Sequence, residues 1–357
     1  MRVVLAGGGT TGHISPMLAT AGALTSLDPG VEITCVGTPV GLETDLVPSA
    51  GFDLALVDPV PLPRTISPEL ITLPARIWKS VHQAKAILRG ADVAVGFGGY
   101  ASLPVYLAAH RMRVPVVVHE ANAVPGLANK IAARFAAYVC VTFANTGLPR
   151  QIVTGMPVRA DVANLDRKKE RAQARQIFGL DPDSPVLLVS GGSQGARSLN
   201  EATLAALPAL VGAGISVLHV TGKKNYDPGR THPGYVQVAY VEKMDQAYAA
   251  ADLMVARSGA GTVTETALAG LPVIFVPLPH GNGEQAKNAA GVVAAGGGIL
   301  IPDADLTGER LARQAIRIMR DTPMLEAMSQ AAIHVMPRDA AQVVARYTLD
   351  AGKGKRQ

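Results

Sequence analysis

Short apolar runs alternate with longer stretches of helical periodicity along most of the chain. In the first half, strand-like runs rich in Val and Ile occur at 2–6, 32–37, 52–57, 93–96, 114–119, 138–142 and 151–154. A second series follows at 186–190, 216–221, 236–240, 253–256, 273–276 and 298–301. Strands that alternate with helices are typical of βαβ units and parallel sheets. The pattern therefore predicts an α/β protein with two doubly wound, Rossmann-like domains that face each other across a cleft.

The domain boundary is predicted where the two series meet. A stretch containing glycine and proline at 155–159 is followed there by a highly charged one. A chain of 357 residues also exceeds what one hydrophobic core usually serves. We expect an N-terminal domain over 1–158 and a C-terminal domain over 159–336. The last segment has helical spacing of its apolar residues, and we expect 337–357 to cross back to the first domain.

The first predicted strand ends in a glycine-rich turn, 7–12, which leads into a helix. Glycines let backbone amides approach a ligand closely, and a helix start presents unpaired N–H groups and a positive dipole to an anion. A diphosphate fits such a turn, and a plain tight turn is the alternative. The glycine spacing departs from the dinucleotide fingerprint, and no acidic residue clearly ends the second strand, which disfavours a nicotinamide enzyme.

Polar or glycine-rich residues also follow later strands, at 96–100, 119–122, 190–197 and 257–265. Ligands of open α/β sheets bind at the carboxyl ends of the strands, so these turns are candidate sites. The last two combine small residues with a helix start and predict anion cradles. Glu265, one turn into its helix, could accept hydrogen bonds from both ribose hydroxyls, or could simply stabilise the helix start.

Composition excludes few function classes. Lys and Arg exceed Asp and Glu by 33 to 28, but the basic residues are spread along the chain. Nucleic acid is therefore not predicted as a partner, and an anionic substrate or an anionic membrane surface fits the charge equally well. Cys35 and Cys140 lie in apolar runs without metal-ligand spacing, which predicts buried thiols in a reducing compartment.

Membrane spans and metal sites are not predicted. The chain begins directly with a strand and has no uninterrupted apolar run of about 18 residues, so we expect a cytoplasmic protein, at most peripheral to the membrane. Asp181 and Asp183, and likewise Asp303 and Asp305, have the spacing of a metal-binding pair. Turn formation or helix capping explains both pairs, so no metal and no cofactor are expected.

Several ordered strings resemble the GT-B glycosyltransferases, and within them the MurG family. They comprise the first-turn glycines with Thr10 and His13, then 119–122, 155–159, 191–197, 257–265 and Gln285. Members of that family add N-acetylglucosamine from UDP-N-acetylglucosamine to lipid I, which gives lipid II for peptidoglycan synthesis. Two departures affect the finer contacts: Thr11 and Gly12 replace paired glycines before His13, and Ala121 replaces a glutamine before Asn122.

The resemblance implies an inverting transfer to the C4 hydroxyl of the muramyl sugar, with lipid I and UDP-N-acetylglucosamine as substrates. In the second domain it implies substrate contacts from Ser193, the Val241 backbone, Ala260, Gly261, Thr262, Val263, Thr264, Glu265 and Gln285. From the cleft side of the first domain it implies contacts from Thr10, Thr11, Gly12, Asn122 and Arg159. Helix dipoles and Arg159 would take the place of a cation at the diphosphate.

The general base is predicted among two residues of the first domain. His13 follows the glycine turn, and a histidine accepts a proton near neutral pH because its ordinary pKa is about 6.5. Glu120, at a neighbouring strand end, is the rival. Both remain candidates on the sequence alone, and capping or orienting the first helix is the plainer role for His13.

The segment 70–89 is the candidate membrane surface. Its helical spacing puts Ile77, Val81, Ala84 and Leu88 on one face, and Trp78 and several cations lie nearby without an acidic residue. We therefore expect peripheral attachment at the cytoplasmic face of the cell membrane, on anionic lipid, where cell-wall and division proteins would be partners. An ordinary amphipathic helix packed against the sheet is the alternative.

Two other functions are compatible with the same residues. One is a related transferase or an epimerase that uses a UDP-sugar with a soluble acceptor. The other is a regulatory protein that binds a nucleotide sugar and has lost turnover.

Overall fold

The computed structural model describes residues 1–60, 69–192, 194–280 and 282–354, with only the backbone at 69–71. The chain folds into two compact units. Unit 1 comprises Met1–Arg159 and the segment from Asp339 onward, and unit 2 comprises Ala160–Arg338. Each unit contains one parallel sheet with helices between its strands. The predicted α/β class with two doubly wound, Rossmann-like domains is confirmed.

Unit 1 contains seven strands in the described residues: β1 (Arg2–Ala6), β2 (Glu32–Gly37), β3 (Asp53–Leu56), β4 (Val93–Gly96), β5 (Val116–Glu120), β6 (Tyr138–Val141) and β7 (Gln151–Val153). Its first five helices are α1 (Thr11–Leu27), α2 (Glu43–Ser49), α3 (Glu69–Ile87), α4 (Ser102–Arg111) and α5 (Leu127–Ala132).

Unit 2 contains six strands in its described part. They are β8 (Val186–Ser190), β9 (Ser216–Val220), β10 (Tyr235–Val238), β11 (Leu253–Ala256), β12 (Val273–Phe275) and β13 (Gly298–Leu300). Its helices are α6 (Ala160–Ala163), α7 (Arg167–Ile177), α8 (Arg197–Gly212), α9 (Met244–Ala250), α10 (Ala260–Leu268), α11 (Glu284–Ala294), a short 3-10 helix (Asp303–Asp305), α12 (Gly308–Met319) and α13 (Thr322–Ile333). The last helix, α14 (Ala340–Gly354), belongs to unit 1.

The strand order places a switch point in each sheet. The first sheet runs β3-β2-β1-β4-β5-β6-β7 and the second runs β10-β9-β8-β11-β12-β13. Successive strands are therefore added outward in one direction from β1 and in the other from β4, and the same change of direction occurs between β8 and β11. Ligands of such sheets bind at the carboxyl ends of the strands beside that point. The turns after these four strands are among those that the sequence singles out.

Alternate residues of the first sheet enter two separate cores. Val4 and Ala6 pack with α3 and α4 on one face, whereas Val3 and Leu5 pack with α1 and α14 on the other. Burial on both faces explains why the strands of this parallel sheet are almost wholly apolar. Cys35 and Cys140 are both buried and free, as predicted.

The apolar face of α3 does not form a membrane surface. Val81, Ala84 and the following Leu88 are buried in the core of unit 1, and Ile77 packs against that core. This face is needed to cover the sheet, because an uncovered parallel sheet would expose its apolar side. Trp78, by contrast, is 71% exposed. Within the described residues, helices long and apolar enough to span a bilayer are absent.

Candidate active site

The first part of the site is the turn between β1 and α1. Gly9 has a φ of +87°, a conformation that favours glycine. Thr10 is extended and precedes α1, and its carbonyl accepts a hydrogen bond from the His13 amide at 3.1 Å. Thr10 and Gly12 are exposed and Thr11 is half-buried. The predicted substrate contacts of this turn therefore lie at an accessible helix start.

His13 occupies the first turn of α1 and is half-buried. Gly98 packs closely against it, since a Cβ at Gly98 would lie 3.0 Å from the imidazole Cε1. Burial lowers the pKa of His13, and the Phe97 backbone and the Glu43 carboxylate oppose this only in part. A lowered pKa leaves the ring neutral at pH 7 and able to accept a proton. Its Nδ1 is buried and has no hydrogen-bond partner among the described residues.

Glu120 ends β5 and is only 2% exposed. Its carboxylate accepts hydrogen bonds from the Asn122 amide, the Gly126 amide and the Asn129 side chain, each at 2.9 Å. Tyr106 in turn donates to the Asn129 side chain at 2.8 Å. The arrangement ties the loop after β5 to α4 and α5, so Glu120 has a structural task in addition to its predicted catalytic one.

Two further predicted contacts of unit 1 lie on loops. Asn122 is half-buried in the loop that Glu120 holds. Arg159 is exposed and is the last residue of unit 1. An exposed guanidinium is suited to bidentate contact with a phosphate.

In unit 2 the turn after β8 is built from glycines. Gly192 and Gly195 have φ values of +87° and +73°, and a Cβ at Gly195 would overlap the Thr221 carbonyl. The predicted contact Ser193 lies outside the described residues. Arg197, the first residue of α8, donates from Nε to Glu201 at 2.7 Å, and its side chain is 89% exposed. In this arrangement Arg197 is paired along α8.

The second cradle of unit 2 lies at the start of α10. Gly259 is extended and precedes the helix, and Gly261 and Thr262 are half-buried near its first turn. The other predicted members, Ala260, Val263 and Thr264, are buried. Glu265 is half-buried, and its carboxylate accepts a hydrogen bond from the Tyr248 hydroxyl at 2.7 Å.

The remaining predicted contacts of unit 2 are Val241 and Gln285. The Val241 side chain is 8% exposed, which is consistent with a contact through its backbone. Gln285, in the first turn of α11, accepts a hydrogen bond from the Leu278 amide at 2.9 Å. This bond ties α11 to the loop after β12 and engages the side-chain oxygen of Gln285.

An arginine-centred network supports the strand ends of unit 2. Arg257 Nη1 donates to Asp303 Oδ1 at 2.5 Å and to the Val276 and Pro277 carbonyls at 3.1 Å. Its Nη2 donates to Ser198 Oγ at 2.8 Å. Burial acts to raise the pKa of Asp303, but the hydrogen bonds from Ser198 and Arg257 outweigh it and lower that pKa. The network joins the start of α8 to the segments after β11, β12 and β13, and the sequence pattern did not reveal it.

Neither aspartate pair forms a metal site in the structure. Asp181 accepts hydrogen bonds from the backbone amides of Asp183 and Ser184 at 2.8 and 3.3 Å, which is a turn. Asp303 pairs with Arg257, and Asp305 pairs with Arg310 at 3.1 Å. Three of the four carboxylates therefore have protein partners.

Sequence reasoning also missed Glu43. Its carboxylate is fully buried beneath the turn after β1, where it accepts a hydrogen bond from the Gly9 amide at 2.9 Å. The local signal is an acidic residue that follows Gly37 and Gly41 shortly after β2.

Models of known families match the two units in order. The glycosyltransferase family 28 N-terminal domain matches residues 3–141, and the C-terminal domain of that family matches residues 186–344.

Relatives of known name cover the whole chain. A Nocardioides protein named UDP-N-acetylglucosamine--N-acetylmuramyl-(pentapeptide) pyrophosphoryl-undecaprenol N-acetylglucosamine transferase is 52% identical over 361 residues, covering 99% of each chain. A Mycobacterium avium protein of the same name is 52% identical over 368 residues, covering 100% of this chain and 90% of its own. Among solved structures, Acinetobacter baumannii MurG matches with a TM-score of 0.76 and 29% identity over 98% of this chain and 99% of its own.

Proposed function

The chain belongs to glycosyltransferase family 28, and from this premise we propose that it transfers N-acetylglucosamine from UDP-N-acetylglucosamine to lipid I, forming lipid II. The observation that carries the proposal is its 52% identity, over 99% of both chains, to a transferase of that name. The enzyme therefore acts in peptidoglycan synthesis as a hexosyltransferase.

The reaction requires three things of the protein. The C4 hydroxyl of the muramyl sugar attacks the anomeric carbon of N-acetylglucosamine while a base takes the hydroxyl proton. The bond from that carbon to the diphosphate breaks, and UDP leaves with the electron pair. A single displacement of this kind inverts the anomeric configuration. The protein must supply the base, hold the diphosphate charge and orient the two sugars.

We assign the base to His13 in preference to Glu120. The pKa of His13 is lowered, so the ring is unprotonated at neutral pH. Glu120 is buried, and its carboxylate already accepts hydrogen bonds from three donors, two on the loop after β5 and one on α5. A carboxylate held in this way is poorly placed to gain a proton from a substrate hydroxyl.

We assign the donor nucleotide to unit 2. The start of α10 has no side-chain cap, which leaves its first amides to a diphosphate, and Glu265 lies one turn further on for the ribose hydroxyls. Ser193, the Val241 backbone and Gln285 are proposed to complete the contacts. The lipid I acceptor is assigned to unit 1. As the family resemblance implies, Thr10, Thr11, Gly12, Asn122 and Arg159 are proposed as further substrate contacts, with Arg159 at the diphosphate.

The test is a transfer assay with labelled UDP-N-acetylglucosamine and a short-chain lipid I analogue. A labelled disaccharide on the lipid analogue is the expected result, and it should require both substrates. A changed sugar nucleotide without acceptor would identify an epimerase, and transfer only to a soluble acceptor would identify a different transferase. Binding of UDP without any product would identify a regulatory protein.

We further propose that unit 1 attaches peripherally to anionic lipid at the cytoplasmic face of the membrane, through the outer face of α3. Trp78 is exposed there and stacks on His82 with ring centroids 5.6 Å apart. Lys79 and Arg89 are exposed on the same segment, and Lys79 pairs with Asp58. An exposed indole beside cations suits the headgroup region of an anionic bilayer.

Co-sedimentation with anionic and zwitterionic vesicles tests this surface. Trp78→Ser should lose most of its binding to anionic vesicles, because a large exposed apolar group of that face is removed. Tyr226→Ser, which removes an exposed aromatic residue from unit 2, is the matched control and should bind like the wild type. Equal binding of both variants would place the lipid contact elsewhere.

A further inference from the structure

The glycine turn before His13 is built around one buried carboxylate. Glu43, the first residue of α2, accepts a hydrogen bond at Oε2 from the Gly9 amide at 2.9 Å. Its Oε1 accepts from the Thr38 amide at 2.7 Å and from the Thr38 hydroxyl at 2.8 Å. Glu43 is 0% exposed and Thr38 is 2% exposed, so these bonds are shielded from water. They join the turns after β1 and β2 to one side chain.

The surrounding backbone leaves room for that carboxylate and for little else. A Cβ at Gly8, Gly37 or Gly41 would overlap the Glu43 side chain. Three glycines from two turns thus form the walls of the space that Glu43 fills. The close approach of these glycines, together with the hydrogen bond from the Gly9 amide, makes the position of the first turn depend on the Glu43 carboxylate.

The opposite side of the turn is equally constrained. Gly99, with a φ of +82°, packs so closely that its Cβ would overlap the Gly8 carbonyl. Gly98, with a φ of +91°, packs against the His13 ring. The first turn is therefore held between Glu43 on one side and the turn after β4 on the other, and His13 follows directly from it.

The charge of Glu43 also reaches His13. Burial acts to raise the pKa of Glu43, but the hydrogen bonds from Gly9 and Thr38 outweigh it, so the carboxylate is ionised at neutral pH. Its negative charge raises the pKa of His13 and opposes the effect of burial. His119 of β5 also interacts with His13, and burial lowers the pKa of His119 to about 4, so it is uncharged at pH 7.

We propose that Glu43 is a positioning residue for the transfer reaction: it fixes the turn at 7–12 and sets the orientation and charge environment of His13. This inference rests on the proposed function, since His13 is assigned there as the base. Glu43 itself contacts neither substrate in this proposal and acts only through the turn and the imidazole.

The main variant is Glu43→Gln, with Asp45→Asn as the matched control. Asp45 lies two residues later on the same helix and is exposed, so its variant makes the same change of charge outside the turn. We expect kcat of Glu43→Gln to fall about ten- to a hundredfold, because charge-assisted bonds to the turn are lost. UDP affinity should stay within about threefold in both variants, and Asp45→Asn should keep wild-type turnover.

The pH profile separates positioning from general loss of structure. A base must be unprotonated, so kcat/KM for the acceptor rises with pH through the pKa of His13 in the free enzyme. Removing the negative charge of Glu43 lowers that pKa, and the acid limb should move to lower pH in Glu43→Gln only. Turnover within twofold of wild type, or an acid limb that does not move, would overturn the proposal.

Titration of His13 by NMR with ¹³C-labelled histidine reports the coupling without turnover. Its Cε1 resonance, assigned by its loss in His13→Gln, should titrate at lower pH in Glu43→Gln than in the wild type. A wild-type protein that makes no disaccharide would refute the proposed function, yet this titration would still test the link from Glu43 to His13. Identical titrations in the two proteins would refute the link.

Thr38 provides a second test if Glu43→Gln does not fold. Thr38→Val removes one hydrogen bond to the carboxylate and keeps the branched shape, whereas Thr38→Ser keeps the hydroxyl. We expect kcat to fall severalfold in Thr38→Val and to recover in Thr38→Ser. Equal turnover of the two variants would contradict a role for the hydrogen bond from the Thr38 hydroxyl to Glu43.

Discussion

At the residue scale, the donor assignment depends most on Glu265. The Tyr248 hydroxyl holds its carboxylate at 2.7 Å, one turn into α10. A side chain fixed in this way loses little freedom when it binds a ligand, which favours a strong contact with ribose hydroxyls.

We expect Glu265→Ala to weaken UDP binding about ten- to a hundredfold, since a charge-assisted contact contributes roughly 1.5–3 kcal/mol. Titration calorimetry measures the effect directly. Glu309→Ala, which removes an exposed carboxylate from the first turn of α12, is the matched control and should bind UDP normally. Unchanged affinity in a folded Glu265→Ala protein would remove this residue from the site.

The two base candidates differ in what their loss should do. His13→Ala should lower kcat by about 10²- to 10⁴-fold, the usual contribution of a general base, and leave UDP affinity within a few-fold. Glu120→Gln should instead lower the melting temperature, because three donors lose their anionic partner. His334→Ala, at an exposed histidine of unit 2, controls for loss of an imidazole.

Steady-state kinetics and thermal unfolding, measured on the same preparations, decide between the candidates. If His13→Ala kept most of its kcat while a stable Glu120→Gln lost it, the role of base would pass to Glu120. If both variants stayed active, neither residue would be the base.

At the scale of elements, the site depends on how closely two turns approach each other. The turns after β1 and β4 belong to neighbouring strands at the switch point of the first sheet. Gly99 permits their contact, because a side chain there would meet the Gly8 carbonyl. Glycine is thus required at this position both for its positive φ and for the missing Cβ.

Gly99→Ala and Gly51→Ala separate these two requirements. Both glycines have a similar φ, +82° and +81°, but a Cβ at Gly51 would have no atom within 4 Å in the described structure. We expect Gly51→Ala to cost only about 1 kcal/mol of unfolding free energy for the strained backbone. Gly99→Ala should cost more, and it should also reduce kcat because the first turn is displaced. If urea unfolding gave the same loss of unfolding free energy for both variants, the overlap at Gly99 would add nothing to the cost of the strained backbone.

At the scale of the whole molecule, each unit has its own core and its own buried histidine. Burial lowers the pKa of His119 in unit 1 and of His219 in unit 2 to about 4. His219 is held neutral between the Tyr235 hydroxyl and the Asn200 carbonyl oxygen, each 3.0 Å from a ring nitrogen. Both histidines must therefore gain a proton on unfolding in mild acid.

The two histidines have a lower pKa in the folded protein than in the unfolded chain, so the free energy of unfolding should fall as the pH is lowered from 6.5 to 4. In that window the unfolded chain binds more protons than the folded one, so stability falls as the pH falls and is fully present above about pH 6.5. For a folded pKa of about 4, each histidine should account for about 2 kcal/mol at pH 5. In thermal unfolding, the melting temperature should fall less between pH 7 and pH 5 in His219→Gln than in the wild type. An equal loss would assign the acid sensitivity to other groups.

The sequence by itself determined the α/β class, the two sheets and the turns that carry the site. These features depend on local patterns, because strand and helix periodicity and glycine spacing are set by residues close together in the chain. The strings that resemble a glycosyltransferase family also lie in those turns, so the activity was predicted from the same residues. Which face of α3 would be buried was left open, since one apolar stripe serves a sheet or a membrane equally well.

The tertiary structure decided which polar side chains support the site and which are available to it. Arg257 and Asp303 are 46 residues apart in sequence, and Gly9 and Glu43 are 34 apart, yet each pair is joined by a hydrogen bond. Pairings at such separations depend on the order of the strands in the sheet, which periodicity does not report. For the same reason, the burial that engages Glu120 and lowers the pKa of His13 could be seen only once the sheet and its turns were assembled.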